Sequence, residues 1–250
     1  MLYNYHTHTA FCDGKNKPED IVRKAIELGM DELGFSGHCY TFFDNSYCMS
    51  LAQTREYIEE IRQLKEKYAG QIRILLGIEQ DYYSTEPTDA YDYVIGAVHY
   101  LKKGDIYIPI DESRHIQAIA VTKYYGGDFY SFIEDYYDTV ADLYNKTHCD
   151  IIAHFDVVTK FNEFGDLFDM NHPRYQAAMR KALDALIDCP AVFEYNTGAI
   201  AKRYRKAPYP AKQILDILKE RGKKVIFSSD CHDAQYLLCG HEDYIREFGE

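Results

Sequence analysis

Residues 2–38 read LYNYHTHTAFCDGKNKPEDIVRKAIELGMDELGFSGH, and the order of patterns within them decides the fold. Residues 2–5 form a short apolar run. From Pro18 onward, Ile21, Val22, Ala25, Ile26 and Leu28 keep helical spacing, and Gly29 follows as a C-terminal breaker. Residues 32–36 form a second short apolar run. Strand, helix and strand in that order make the repeating unit of a parallel sheet.

The alternation continues along the chain. Further strands are expected at 73–78, 93–98, 150–153, 191–195 and 224–228, which brings the total to seven. Between them, 54–68 places Ile58, Ile61 and Leu64 on one helical face, and 174–187 does so with Ala178, Met179, Ala182, Leu183 and Leu186. Residues 210–221, closed by Gly222, form the last clear helix. The segment 100–149 is longer than a simple crossover and predicts two helices, near 116–124 and 129–144. No internal repeat, low-complexity tract or flexible linker interrupts the chain, so a single α/β domain over residues 1–250 is expected.

Composition narrows the function classes. The chain carries 28 Lys plus Arg against 40 Asp plus Glu, a net charge of −12, which disfavours a nucleic-acid partner held by broad phosphate contacts. No apolar run is long enough to span a membrane, and the first residues lack the basic start and apolar stretch of an export signal. A cytoplasmic protein with no membrane partner is expected, acting on a small molecule; no oligomeric state is assigned. The seven Cys form no C-x-x-C pair and leave one unpaired, which suits thiols in a reducing compartment better than disulfides.

The chemistry is carried by histidines. Six of the ten, His6, His8, His38, His99, His154 and His232, fall within a few residues after an expected strand, as do Glu79 and Asp230. In a parallel barrel those strand ends share one rim, so residues from position 6 to position 232 would converge there. His6 and His8 flank Thr7, and Asp230 and His232 flank Cys231; residues two apart on extended backbone face the same way, so each pair can present two donors to one centre. One histidine near a strand end reads as a hydrogen-bonded core residue. Six of them with Glu79, Asp230 and Asp13 do not, because uncompensated buried imidazoles and carboxylates are costly and metal ions would compensate them. Imidazole and carboxylate suit Zn²⁺, Fe²⁺ or Mn²⁺, and the lack of a Cys cluster argues for open, catalytic coordination. Cys12, Cys39 and Cys231, beside these residues, read as small packed side chains.

Taken together, the motifs HTHT (6–9), SGH (36–38), GIEQDY (77–82), GAVH (96–99), AHFD (153–156), EYNTGAI (194–200) and SSDCH (228–232) resemble the PHP (polymerase and histidinol phosphatase) family of metal-dependent phosphoesterases, and within it the histidinol-phosphatase branch. The resemblance implies a distorted (β/α)7 barrel with two to three divalent metal ions. It implies one ion held by His6, His8, Glu79 and Asp230, a second sharing Glu79 and adding His99 and His154, and a third taking Asp13, His38 and His232. Glu79, Asp230 and His232 would be the catalytic residues, with a water between two ions acidified for in-line attack on phosphorus. The basic run 202–206 supplies Lys202 and Arg205 as expected phosphate contacts, with Lys160 as a further candidate. The loop 39–53, rich in Phe, Tyr, Asp and Asn, would sit on the rim and help select substrate.

The leading expectation is hydrolysis of L-histidinol phosphate to L-histidinol and phosphate, a step of histidine biosynthesis. The alternative enzyme is a relative acting on another small phosphate ester, a nucleotide or phosphotyrosine. A non-catalytic barrel is the third reading, and the polar character of all nine expected ligand positions speaks against it.

Overall fold

Period-two alternation in short strands is enough to build the observed barrel. In a computed structural model describing residues 1–249, the strands are β1 (Tyr3–Asn4), β2 (Glu32–Phe35), β3 (Arg73–Asp81), β4 (Tyr93–Ala97), β5 (Tyr100–Lys103), β6 (Ile106–Pro109), β7 (Ile151–Ile152), β8 (Val192–Asn196) and β9 (Val225–Ser228). All seven expected strands are among them. They join in parallel in the order β1-β2-β3-β4-β7-β8-β9. The ends meet above β1 and β9, where Thr7 bridges Cys231 in parallel; the His8 amide donates to the Cys231 carbonyl at 2.8 Å and the Cys231 amide to the His6 carbonyl at 3.1 Å. The sheet is therefore a nearly closed seven-stranded α/β barrel.

Helices cover the outside: α1 (Pro18–Glu27), α2 (Leu51–Lys67), α3 (Arg114–Tyr124), α4 (Phe129–Ala141), α5 (Leu143–Thr147), α6 (Pro173–Leu186), α7 (Gly198–Ala201), α8 (Lys212–Glu220) and α9 (His241–Phe248). Local chemistry sets their starts. Pro18 opens α1 with Glu19 and Asp20 in its first turn, and Ser50 and Gln53 cap α2 reciprocally.

Three sequence expectations need correction. The helix expected at 129–144 is broken at Asp142 into α4 and α5, and the helix at 210–221 is not the last, since α9 follows it. The segment 100–149 also opens with an antiparallel hairpin, β5 with β6, turned at Gly104 with φ +59°.

Two apolar layers follow from strand parity. On β4, Tyr93, Ile95 and Ala97 point into the barrel and pack with Ile151, Ala153 and Ile226, while Val94 and Val98 face the helices. On β3, Ile74, Leu76 and Ile78 face the helices, which leaves Leu75, Gly77 and Glu79 inward. The Tyr93 ring fills the space beside Gly77, where an added Cβ would lie 2.3 Å from the ring, and its hydroxyl donates to the Tyr5 carbonyl with the Phe35 carbonyl 3.1 Å away. Gly77→Ala should therefore destabilise the fold by about 1–3 kcal/mol, the usual cost of overpacking. A urea midpoint lowered at unchanged slope checks this; an unchanged midpoint would mean that the ring moves aside freely.

Candidate metal centre

The inward parity that packs the barrel also delivers its polar mouth. Glu79 continues the Leu75–Gly77 row on β3, His99 continues the row of Tyr93, Ile95 and Ala97, and Asp230 continues that of Ile226 and Ser228. Asp230 has φ +46°, in the left-handed region that Asp tolerates better than most residues. Beside it, Gly198 at the start of α7 leaves no room for a side chain, since a Cβ there would lie 2.7 Å from that of Asp230.

Glu79 is the hub. Its carboxylate is 1% exposed, and both oxygens face ring nitrogens: Oε1 lies 3.1 Å from His154 Nε2 and 3.4 Å from His99 Nε2, while Oε2 lies 2.8 Å from His38 Nδ1, 3.4 Å from His6 Nε2 and 3.6 Å from His8 Nε2. Asp230 Oδ1 is 3.1 Å from His8 Nε2 and 3.7 Å from His6 Nε2. Asp13 reaches His232 Nε2 at 3.1 Å, His38 Nε2 at 3.6 Å and His8 Nδ1 at 3.8 Å.

All nine sequence-expected ligands thus converge. Three groups bring their donor atoms within 4.8 Å of one another: His8, Asp13, His38 and His232; His6, His8 and Glu79; and His38, Glu79 and His99. The grouping is less partitioned than the resemblance implies, with His8 and His38 each belonging to two groups. Divalent ions fit this donor set. His6 Nε2, His8 Nε2 and Glu79 Oε2 are buried without an aligned hydrogen bond, an arrangement that costs free energy until a cation takes the lone pairs.

Burial and the crowding of carboxylates with imidazoles set the electrostatics of the cluster. Burial works to raise the Glu79 carboxyl, but the imidazoles of His38, His6 and His99 outweigh it and hold the group well below the usual carboxylate range. Asp230 is held low in the same way, against burial, by His6, His8 and Lys202. Burial, followed by the neighbouring His232 and His38 rings, pushes His8 well below the ordinary imidazole value. His99 is raised against burial by Glu79 and Asp81.

A cavity of about 270 Å³ opens over this cluster. Lys160 and Lys202 line it. Lys160 donates to the Asp111 carbonyl at 2.8 Å and to its carboxylate at 3.0 Å, and Lys202 Nζ lies 3.2 Å from His232 Nε2. Arg205 is not brought to the cavity wall. It is 8% exposed, donates to Thr159 Oγ1 at 2.8 Å and stacks over the Tyr209 ring at 4.3 Å, because Arg203, at φ +61°, turns the chain away after α7. It supports Tyr209, which does line the cavity. From the rim loop come Asp44, Ser46 and Tyr47; Tyr100, Asp111 and Glu112 are lining residues that sequence reasoning did not single out. Asp81 and Glu194 were also missed, although strand parity makes Glu194 an inward residue of β8.

Glu79 gives a pH test. Its folded-state value lies below the ordinary 4.5, so the unfolded chain binds more protons as pH falls through that range. In metal-free protein, the melting-temperature advantage of the natural chain over Glu79→Gln should hold above about pH 5 and shrink as pH falls below 4.5. An advantage that grew with acidification would contradict this electrostatic assignment.

Comparison with known proteins agrees with this geometry. The PHP domain family profile matches residues 4–198. A Schizosaccharomyces pombe protein named probable histidinol-phosphatase is 28% identical, over 93% of this chain and 81% of its own. The hisK protein of Listeria monocytogenes superposes with a TM-score of 0.82 at 23% identity, covering 97% of this chain and 99% of its own. The Lactococcus lactis histidinol phosphate phosphatase, solved with zinc, L-histidinol and phosphate, superposes with a TM-score of 0.71 at 21% identity, covering 98% of this chain and 93% of its own.

Proposed function

The chain belongs to the PHP domain family, and from that premise we propose that residues 1–250 form one metal-dependent phosphomonoesterase domain that hydrolyses L-histidinol phosphate to L-histidinol and phosphate. The observation that carries the reading is Glu79: one buried carboxylate shared by imidazoles from β1, β2, β4 and β7 strand ends, directly beneath a cavity with two lysines. His6, His8, Glu79 and Asp230 would hold one divalent ion, Glu79, His99 and His154 a second, and Asp13, His38 and His232 a third. Zinc is bound by the Lactococcus lactis relative; Zn²⁺, Mn²⁺ and Fe²⁺ all suit the donors. Such ions supply Lewis acidity toward phosphate oxygens and lower the pKa of an attacking water.

The chain's own residues do the rest. Lys160 and Lys202 place fixed positive charge against the phosphoryl oxygens, where negative charge accumulates. Asp111 keeps Lys160 protonated: burial would lower the ammonium, and the carboxylate more than offsets it. Asp230 and His232, joined by the His232 Nδ1 contact to the Asp230 carbonyl at 2.9 Å, border the same space and orient the reacting groups. Asp44, Asp111 and Glu112, with Tyr47 and Tyr100, suit a leaving group that carries an ammonium and an imidazole. A cavity of about 270 Å³ matches a small ester.

Phosphate release from L-histidinol phosphate, p-nitrophenyl phosphate and a nucleoside monophosphate, each at equal concentration with Mn²⁺- or Zn²⁺-loaded protein, tests the substrate. A preference for L-histidinol phosphate of about 10²-fold or more is expected, about 2.7 kcal/mol of differential transition-state binding. Equal or reversed rates would keep the phosphoesterase and assign it another ester, a nucleotide or phosphotyrosine. Glu112 stands at the exposed edge of the cavity, so Glu112→Gln should raise KM for L-histidinol phosphate by about twofold to fivefold and leave p-nitrophenyl phosphate unchanged. An equal change on both substrates would remove Glu112 from leaving-group recognition.

A further inference from the structure

One inward carboxylate has no place in the ligand sets above. Glu194 on β8 is 1% exposed, and its two oxygens are used in different directions. Oε1 lies 2.6 Å from His6 Nδ1. Oε2 accepts the His154 backbone amide at 3.1 Å and the Asn196 side-chain amide at 2.9 Å. His6 and His154 stand on opposite oxygens of Glu79, with His6 Nε2 3.4 Å from Oε2 and His154 Nε2 3.1 Å from Oε1.

We propose that Glu194 is a positioning residue that fixes one ligand of each of two neighbouring ion sites at once. The inference rests on the metal reading above. Toward His6 the logic is tautomeric: a carboxylate at Nδ1 keeps the ring proton there, so the Nε2 lone pair faces Glu79 and Asp230. Toward His154 the logic is positional: the backbone amide is tied down, so the strand end that carries the ring cannot drift from Glu79. Asn196 extends the clamp, since the same side-chain amide reaches Asp230 Oδ2 at 3.4 Å while its Oδ1 accepts the Gly198 amide at 3.0 Å.

Only a carboxylate serves here. Its two oxygens accept on both sides, whereas a glutamine has one acceptor oxygen and an NH₂ group. In Glu194→Gln, the amide either keeps the oxygen on His6 and turns donors against the His154 and Asn196 donors, or serves those and leaves His6 free to carry its proton on Nε2. In either orientation one ligand is lost to its site, and because Glu79 is shared, both sites loosen.

Competition of the natural chain, Glu194→Gln and Glu194→Asp against a chromophoric chelator for Zn²⁺, with melting temperatures of the metal-free forms, tests this. Of the zinc-binding steps, the two that involve His6 and His154 are expected to weaken by about 10- to 100-fold in Glu194→Gln, and that of the Asp13, His38 and His232 site to change less. Glu194→Asp keeps two acceptor oxygens on a shorter stem and should weaken them less; it carries the test if Glu194→Gln does not fold. A merely structural role would lower the metal-free melting temperature and leave both zinc affinities intact. That outcome, or a loss confined to one step, overturns the proposal while the metal reading stands. A natural chain that takes up no zinc would overturn the metal reading itself, and the proposal with it.

Discussion

Everything at the barrel mouth depends on the shared burial of Glu79 among imidazoles. A carboxylate that is 1% exposed is tolerated only with opposite charge or donors around it, and five histidine rings from four strand ends supply them. The requirement works in both directions. The rings in turn depend on the carboxylate to offset their own burial. Fold and chemistry thus share one constraint: the strands must end where Glu79 can be surrounded.

The barrel was legible in the sequence because its signal is a repeated short apolar run followed by a polar ligand. Tyr93 to Ala97 is all apolar or small, and His99 then appears in the same parity two residues on. The β5–β6 hairpin was not legible in the same way. Its strands are four residues each, carry Lys102 and Lys103 and end in Pro109, so they lack the apolar continuity of the buried strands; the Gly104-Asp105 turn was the signal available. Helix α9 offered only eight residues, with one buried tyrosine, Tyr244.

At the site, which residues gather at the barrel mouth was readable and side-chain direction was not. All nine expected ligands converge because spacing after a strand fixes which end of the barrel a residue reaches. Direction within the basic run 202–206 depends on the local turn at Arg203, which sends Lys202 to the cavity and Arg205 behind Tyr209. The other cavity-lining residues are harder still to read, since Asp44, Tyr47, Asp111 and Glu112 come from segments inserted outside the barrel repeat. Those segments brace one another: the Phe43 ring of the rim loop stacks on Tyr107 of the hairpin at 3.7 Å, and Tyr100 donates to Asp44 at 2.5 Å. The cavity is thus floored by the His and carboxylate cluster of the strand ends and walled by residues from these inserted segments.

The seam between β1 and β9 has a consequence for biosynthesis. His6 and His8 are synthesised more than two hundred residues before Asp230 and His232, which lie beside them at the barrel mouth. Until the Cys231 backbone pairs with His6 and His8, those histidines lack the Asp230 carboxylate beside them. The cluster at the barrel mouth is therefore complete only once the segment after β9 has joined β1, and the N-terminal portion alone cannot assemble it.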